Sequence, residues 1–528
     1  MLNTTFTISK WVSSTMLRLL ILFWSAFVIN GLSLPVDLAI FRKDPMEQQR
    51  APGIKVRATG KALSYANQIG TKLLEHQVGK LKIPDYTTPI EAGVGSGKAT
   101  LSNMKIDSFN GPSFWYRLQS PHNITWGTSG GQAIIIGDWS LKYKALITIR
   151  GSGSFKVTAR GIRLQMSGYV TKTNEGKPHV DAYGCNVIID YLDVSVRGGL
   201  VGWLIDRFSG KIEDQMRNIL QSKVCEEGTA LINQRANEEL SNLPGVVAFS
   251  PFFSLDYRLL KSPLVSEDYI ESYQKGEISW KGEDRTPFHP PPISSPPTAN
   301  RMFYMWGSDF ILNSLIYAAY SHDLLQFLAD KQRTPNLAGY LRTTCPNTDM
   351  CIGSAFYKIR KLYPNQTTSV YLKATEMPYG NITEGSLILR GKATGNLFID
   401  SDNGTIIPLV DFTVMFNGSI AVQLDDQLIV GRMKIQKLGI NIVNSTVGRI
   451  SPLEVDLFLL IVEPFLSGAI NKQLSRGIPM PQIKNVQYVD PQLKLVDRTV
   501  QLDTDLKYCP TIENVQMCFQ YTGEPTDT

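Results

Sequence analysis

The chain has 528 residues, with 53 Lys+Arg against 47 Asp+Glu, 43% hydrophobic and 19% charged. That apolar fraction excludes general disorder, the 42 glycines show no period of three and exclude a collagen-like fibre, and this length favours two to four domains over a single core. Only one segment is apolar enough to interest a membrane, which excludes a polytopic membrane protein.

That segment is the N-terminus. Residues 1–18 carry Lys10 and Arg18 and no acid, residues 19–29 are an apolar run, and Asn30, Gly31 and Ser33 follow. A basic start, a short apolar core and small residues read as a secretory signal over residues 1–33, cleaved near 31–34. A signal anchor is the rival reading, because no charge lies between Arg18 and Asp37. The run is short of the ~20 residues that span a bilayer. Export makes disulfides the simplest use of Cys185, Cys225, Cys345, Cys351, Cys509 and Cys518. Sequence neighbours suggest Cys345–Cys351 and Cys509–Cys518, leaving Cys185–Cys225. No CxxC pair exists and the five histidines are scattered, so a metal site is not expected. Glycosylation sequons at Asn123, Asn365, Asn381, Asn403, Asn417 and Asn444 agree with export. Five of these six lie beyond residue 360, where glycans would hold the second half in water.

Along the mature chain, a short alternating run at 54–56 precedes a helix over 60–82 with a stripe of Leu63, Ala66, Ile69, Leu73, Leu74 and Leu81. Period-two strands follow: Leu141, Tyr143, Ala145, Ile147 and Ile149 read as one strand face over 141–150, continued by Phe155, Val157, Ala159, Ile162, Leu164 and Met166. A long helix covers 199–241 and a strand-like run 246–260. The stretch 286–299 holds Pro287, Pro290, Pro291, Pro292, Pro296 and Pro297 and reads as an extended linker. The order then repeats: a helix over 308–330; strands at 387–399, 405–416, 428–435 and 453–459; a helix at 461–475 with Pro464 in its first turn; and a strand region at 485–502. The chain divides into a first unit at 51–245, connecting strands at 246–285, the linker at 286–299, a second unit at 300–505 and a tail at 506–528. Each unit is a twisted antiparallel sheet with two covering helices, an arrangement that leaves an apolar cleft between layers.

Gly127-Thr-Ser-Gly-Gly131 matches G-x-S-x-G and raises a secreted esterase using Ser129, but strand-like residues follow where a nucleophile elbow needs a helix; a glycine-rich hairpin loop is the preferred reading. Residues 92–98 resemble a P-loop, but lack its first glycine and carry Ala99 where a hydroxyl should hold magnesium. Between Trp139 and Asn174 lie Lys142, Lys144, Arg150, Lys156, Arg160, Arg163 and Lys172 and no acid. Several sit at the polar positions of the alternating strands. One reading is a solvated sheet face protected against aggregation; the other is a face for phospholipid headgroups or lipid A phosphates. Nucleic acid is disfavoured, since no binding signature for it is present. Residues 51–245 carry a net +7 and residues 300–528 a net −1, so the charge belongs to the first half.

The stretches 51–57 (APGIKVR), 61–67 (KALSYAN), 81–86 (LKIPDY) and 201–208 (VGWLIDRF), Lys211-Ile-Glu213, Lys223-Val-Cys225 and, after the proline linker, 301–309 (RMFYMWGSD) resemble the bactericidal permeability-increasing protein and lipopolysaccharide-binding protein family, which includes plasma lipid-transfer proteins. The resemblance covers about residues 50–505, and the Cys185–Cys225 separation matches that family's disulfide. It implies an α+β boomerang: two pseudo-symmetric twisted antiparallel β-barrels, each covered by two helices, joined by a central β-sheet. It implies no enzymatic activity, no metal and no cofactor beyond bound phospholipid, with acyl chains in an apolar pocket in each barrel. By this carry-over the first pocket takes Ile54, Val56, Leu63, Ile69, Leu73, Val187, Ile189 and Leu204, although ordinary core packing is the preferred reading of each taken alone. The bactericidal members carry several lysines in the loop after the first helix. Here 90–99 holds one Lys and one Glu, and the next hairpin keeps Lys142, Lys144 and Arg150. The headgroup-binding residues implied are therefore Lys98, Lys142, Lys144, Arg150, Lys156, Arg160 and Arg163. The expected protein is a secreted, monomeric lipid-binding glycoprotein. Its partners are phospholipids, lipopolysaccharide and bacterial or lipoprotein membrane surfaces in innate defence; a lipid carrier without antibacterial role is the alternative.

Overall fold

The computed structural model describes residues 51–521, apart from 79–82, 84, 93–94, 145, 199–212, 214–216, 218–220, 223, 227, 283–284, 295–299, 347, 401–404, 427, 476, 481–484 and 513–514. The first unit is built from β1 (Ile54–Thr59), α1 (Gly60–Val78), β2 (Tyr86–Ala92), β3 (Gly95–Asn110), β4 (Ser113–Gln119), β5 (Asn123–Lys144), β6 (Thr148–Lys172) and β7 (Pro178–Arg197). A helical region follows, whose described residues run from Glu213 through a π-helical turn (Leu231–Ala236) into α2 (Asn237–Ser241). Then come β8 (Val246–Ala248), β9 (Phe253–Asp256), β10 (Leu264–Val265), β11 (Tyr269–Gln274) and β12 (Glu277–Trp280). The second unit has β13 (Phe303–Ser308), α3 (Asp309–Ser321), β14 (Gln326–Ala329), α4 (Ile352–Ala355), α5 (Tyr357–Leu362), β15 (Thr368–Ala374), β16 (Tyr379–Thr383), β17 (Ser386–Asp400), β18 (Ile406–Asp425), β19 (Leu428–Ser445), α6 (Pro452–Leu474), β20 (Ile478–Pro479), β21 (Val486–Val496) and β22 (Thr499–Tyr508). A short β23 (Thr511–Ile512) and β24 (Val515–Gln516) close the chain.

The duplication expected from element order is visible in the topology. The first barrel sheet runs β2-β3-β5-β6-β7 with β4 paired to the side of β5; the second runs β14-β15-β17-β18-β19-β20 with β16 paired to the side of β17. The central sheet, β10-β11-β1-β13-β22-β21, has the same roles on either side of its midline: the two entering strands, β1 and β13, lie antiparallel to each other, and each is flanked by its own unit's returning hairpin. Two-helix cover is present in both units: α1 with the Glu213–Ser241 region, and α3 with α6.

Several boundaries differ from the sequence reading. The strand expected over 141–150 is two strands meeting at a hairpin, since β5 ends at Lys144 and β6 starts at Thr148 with Tyr143 opposite Ile149. The alternation of apolar residues continues in phase through the turn, which hides it. Beyond Arg160, Gly161 (φ +64°) introduces a bulge against β5 and inverts the parity: Phe155, Val157 and Ala159 face inward before it, Ile162, Leu164 and Met166 after it. The 246–260 run is broken into β8 and β9, which form a separate three-stranded sheet with β12. The helix expected over 308–330 stops at Ser321 and gives way to β14.

Residues 453–459 are helix, not strand, and Pro464 lies inside α6 rather than in its first turn. Leu453, Val455 and Leu457 alternate with acids and fit period two, but Ser451 and Glu454 form a capping box: Ser451 Oγ accepts from the Glu454 N–H at 3.4 Å, and the Glu454 carboxylate accepts from the Ser451 N–H at 2.8 Å. With Pro452 at the first helical position, these are helix-start signals. α6 then runs the length of the second barrel. Phe458 packs on Phe356 and Phe412 at ring distances of 5.0 and 5.1 Å, while Leu474 packs beside Leu495 and Val500 of the central sheet. Sixteen helical residues separate those contacts, ~24 Å.

All six cysteines pair, as Cys185–Cys225, Cys345–Cys351 and Cys509–Cys518. The tail docks on the first helix. The Tyr65 hydroxyl donates to Phe519 O at 2.6 Å and accepts from the Tyr508 N–H at 2.8 Å, and Ala62, Tyr65 and Ile69 share a buried cluster with Tyr508 and Phe519. Among the described residues, no helix is long and apolar enough to cross a membrane.

Candidate lipid-binding site

The concave side of the first barrel is apolar because its long strands alternate. Ile135, Trp139, Leu141 and Tyr143 of β5, Phe155, Val157 and Ala159 of β6, and Val187, Ile189 and Leu192 of β7 form one buried cluster with Met104. Cys185 and Cys225 pack against it, so their disulfide ties β7 to the covering helical region. That region also seals the open edge of β7. Gln221 donates to Val187 O at 2.9 Å, Arg217 donates to Ile189 O, and Asn237 both accepts from the Val180 N–H (2.9 Å) and donates to Val180 O (2.8 Å).

The cations face the other way. Lys98, Lys142, Lys144, Arg150, Lys156, Arg160 and Arg163 are all exposed on the outer surface of the same sheet. Register brings three of them into one row: Lys98 of β3 opposes Lys142 of β5, which opposes Arg150 of β6. Arg163 is paired with Asp190, and Arg160 lies over the Tyr191 ring at 5.6 Å. Among the described residues, none of Lys98, Lys142, Lys144 and Arg150 has a carboxylate partner. Those four lie on one face beside the β5–β6 turn, whose Leu146 is 99% and Ile147 72% exposed. Two aliphatic side chains at an apex with a row of cations behind it match an interface where headgroup charge lies above acyl chain. Sequence reasoning found the cations but assigned Ile147 to a buried strand face, because it placed no turn there.

The residues expected to line the first pocket do not form one group. Val187 and Ile189 belong to the barrel cluster; Leu63 packs with Leu118, Val170 and Val265 where the barrel meets the central sheet; Ile69 packs with the tail; Ile54 and Val56 are buried on β1 of the central sheet. The Leu73 side chain and Leu204 lie outside the described residues. Tyr143, Phe155 and Val157 stand on the apolar strand face in the period-two reading but were not named for the pocket, and Trp139, one strand repeat before Leu141, was missed altogether.

Ser129 lies on β5 opposite Ser113 at a bulge beside Gly130 (φ +79°), and the strand continues to Lys144, so no strand–turn–helix elbow and no hairpin loop is formed. The P-loop lookalike falls at the β2–β3 hairpin, where no helix follows. Of the sequons, Asn365 and Asn444 are exposed, Asn123, Asn381 and Asn417 are half-buried in strands, and Asn403 lies outside the described residues.

Two family models match: the N-terminal domain of the LBP / BPI / CETP family over residues 62–242 and its C-terminal domain over residues 249–508. The bactericidal permeability-increasing protein of Sebastes schlegelii is 23% identical over 474 residues, covering 89% of this chain and 98% of that one. The lipopolysaccharide-binding protein of Bos taurus is 25% identical over 462 residues, covering 87% and 94%. The BPI fold-containing family C protein of Homo sapiens is 23% identical over 492 residues, covering 92% of each. A crystal structure of lipopolysaccharide binding protein superposes with a TM-score of 0.54 at 22% identity, covering 87% of this chain and 99% of that one, and shares the two-barrel fold. The chain belongs to the LBP/BPI/CETP family.

Proposed function

We propose that the protein is a secreted lipid-binding glycoprotein of innate defence. Acyl chains of phospholipid sit between the helices and the sheet of each barrel, and the distal end of the first barrel meets anionic lipid, lipopolysaccharide included. The observation that carries this reading is the β5–β6 apex: Leu146 and Ile147 exposed among Lys98, Lys142, Lys144 and Arg150. Relatives named for lipopolysaccharide binding and for increasing bacterial permeability support it. No catalytic step is needed. Burying a methylene is worth ~0.8 kcal/mol, so an apolar cleft that matches a bilayer's interior makes extraction of a lipid nearly neutral. Organic extraction and mass spectrometry of natively purified monomer should yield phospholipid; a lipid-free chain that also takes up none would overturn the pocket reading. Charge reversal of Lys142, Lys144 and Arg150 should weaken lipid A binding ~100-fold at low salt, at ~1 kcal/mol per cation near an anionic surface. Equal binding by variant and wild type would remove the apex from the account.

A further inference from the structure

The far end of the second barrel carries a patch that this reading leaves unused. α5 buries Ile359 and turns Tyr357, Lys358, Arg360, Lys361 and Leu362 outward. Tyr357 is 66% and Leu362 58% exposed, and Leu453 in the first turn of α6 is 68% exposed. Lys358 Nζ donates to Arg449 O at 2.6 Å, which joins α5 to the turn that starts α6. An aromatic, two leucines and four cations at one end of a barrel have the chemistry of a membrane interface, yet they sit in the half whose net charge is −1.

Two sequons border this patch. Asn365 lies three residues beyond Leu362 in an exposed turn at φ +59°, and Asn444 lies five residues before Arg449, exposed at the end of β19. The other sequon sites differ. Asn417 sits mid-strand in β18, between Arg390 and Lys437, and its Oδ1 is buried without a hydrogen-bond partner. A glycan attached before folding must end in water, which the exposed Asn365 and Asn444 allow.

We propose that Asn365 and Asn444 carry N-linked glycans and that these screen the Tyr357–Leu362 and Leu453 patch from membranes, leaving the first barrel as the end that meets lipid. The proposal rests on the secretion reading, because the secretory route supplies the donor, a lipid-linked oligosaccharide pyrophosphate. The sugar C1–Nδ2 bond forms as the C1–O bond to pyrophosphate breaks; the amide gives up one proton and the lipid pyrophosphate leaves.

The test uses the full chain secreted from glycosylating eukaryotic cells. Glycopeptide mass spectrometry should find Asn365 and Asn444 occupied. Vesicles of phosphatidylcholine with phosphatidylserine then probe the patch, in a K142E/K144E/R150E background that removes the proposed contact of the first barrel. N365Q/N444Q should bind them at least ~fivefold more tightly than the glycosylated parent, and K358E/R360E/K361E should abolish the gain. Enzymatic removal of the sugars from the folded parent should reproduce the gain; a gain confined to the variant reports misfolding and overturns the proposal. Equal binding by variant and parent overturns it, as does a chain glycosylated elsewhere with both sites vacant. A chain without sugar at any sequon overturns the secretion reading with it.

Discussion

Three asparagines let the covering helices complete the sheets. Asn237 bridges both backbone groups of Val180, Asn471 those of Met433 (2.7 and 3.1 Å) and Asn313 those of Gly380 (2.9 and 2.7 Å). Each side-chain amide imitates the peptide unit of a missing neighbouring strand, so an edge ends on a helix instead of inviting another chain. Asn313 is 3% exposed and Gly380 is buried, so Asn313→Leu keeps the volume and removes both bonds. A loss of ~2–4 kcal/mol is expected, read as a lower urea midpoint with an unchanged slope. Tyr65 does similar work between α1 and the tail. Burial pushes its phenol above the ordinary 10.0, against the lowering effect of the Tyr508 N–H. The native state then keeps the proton where the unfolded chain has begun to lose it. That stabilisation is complete below pH 10 and disappears as pH rises through the folded value. Tyr65→Phe should lower stability by ~1–3 kcal/mol at neutral pH and flatten the alkaline fall, seen in unfolding curves on either side of pH 10.

Among the elements, the β5–β6 hairpin joins sequence to function most directly. Its apex is solvent-exposed in the isolated protein, so Leu146→Asp with Ile147→Asp should change stability by no more than ~0.5 kcal/mol. Penetration of lipid A-containing vesicles should fall ~10-fold or more, because two aliphatic side chains worth ~1.5–3 kcal/mol each no longer enter the acyl region. Soluble phosphorylated headgroups should still bind, and a parallel loss there would assign the apex a folding role. The sequence showed this hairpin's cations and its inward-facing residues, because alternation is a local signal. It concealed the turn: apolar residues at 143, 147 and 149 stay in phase across it, and neither a glycine nor a proline marks it. α6 is the opposite case. Its leucines alternate with acids as a strand would, and only the Ser451–Glu454 cap reveals a helix. The docking of Phe519 on Tyr65 spans more than 450 residues and left no local trace, so neither the tail's role nor the dispersal of Leu63 and Ile69 away from Val187 was readable.

At the scale of the whole molecule, the central sheet determines whether the two barrels behave as one body. Its six strands come from both units, and β1 and β13 pair across the midline from Ile54–Gly307 to Ala58–Phe303. One face is polar and buried. Arg57 is held by Glu271 at 2.6 Å and stacks over Tyr269 at 4.0 Å; Lys55 reaches the other Glu271 oxygen at 3.4 Å and the Ile293 carbonyl of the proline-rich segment at 3.3 Å; Trp306 donates to Gln501 at 3.0 Å. Ile293 packs on Tyr304 and Trp306, so the stretch read as a linker acts as a strap over this face. Lys61 and Arg301 meet at Asp505, and Arg498 holds the fully buried Asp309, which ties each first helix to strands of the second unit's return. Such a network stabilises only while every charge is answered. Glu271→Gln removes one carboxylate that faces two cations, and the expected loss is ~3–5 kcal/mol. Because strands of both units hydrogen-bond through β1, that loss should appear as a single calorimetric transition moved to lower temperature, with protease cleavage rising in both barrels together. Two separated transitions, with the second barrel unmoved, would mean that the barrels are stable alone and that the sheet merely connects them.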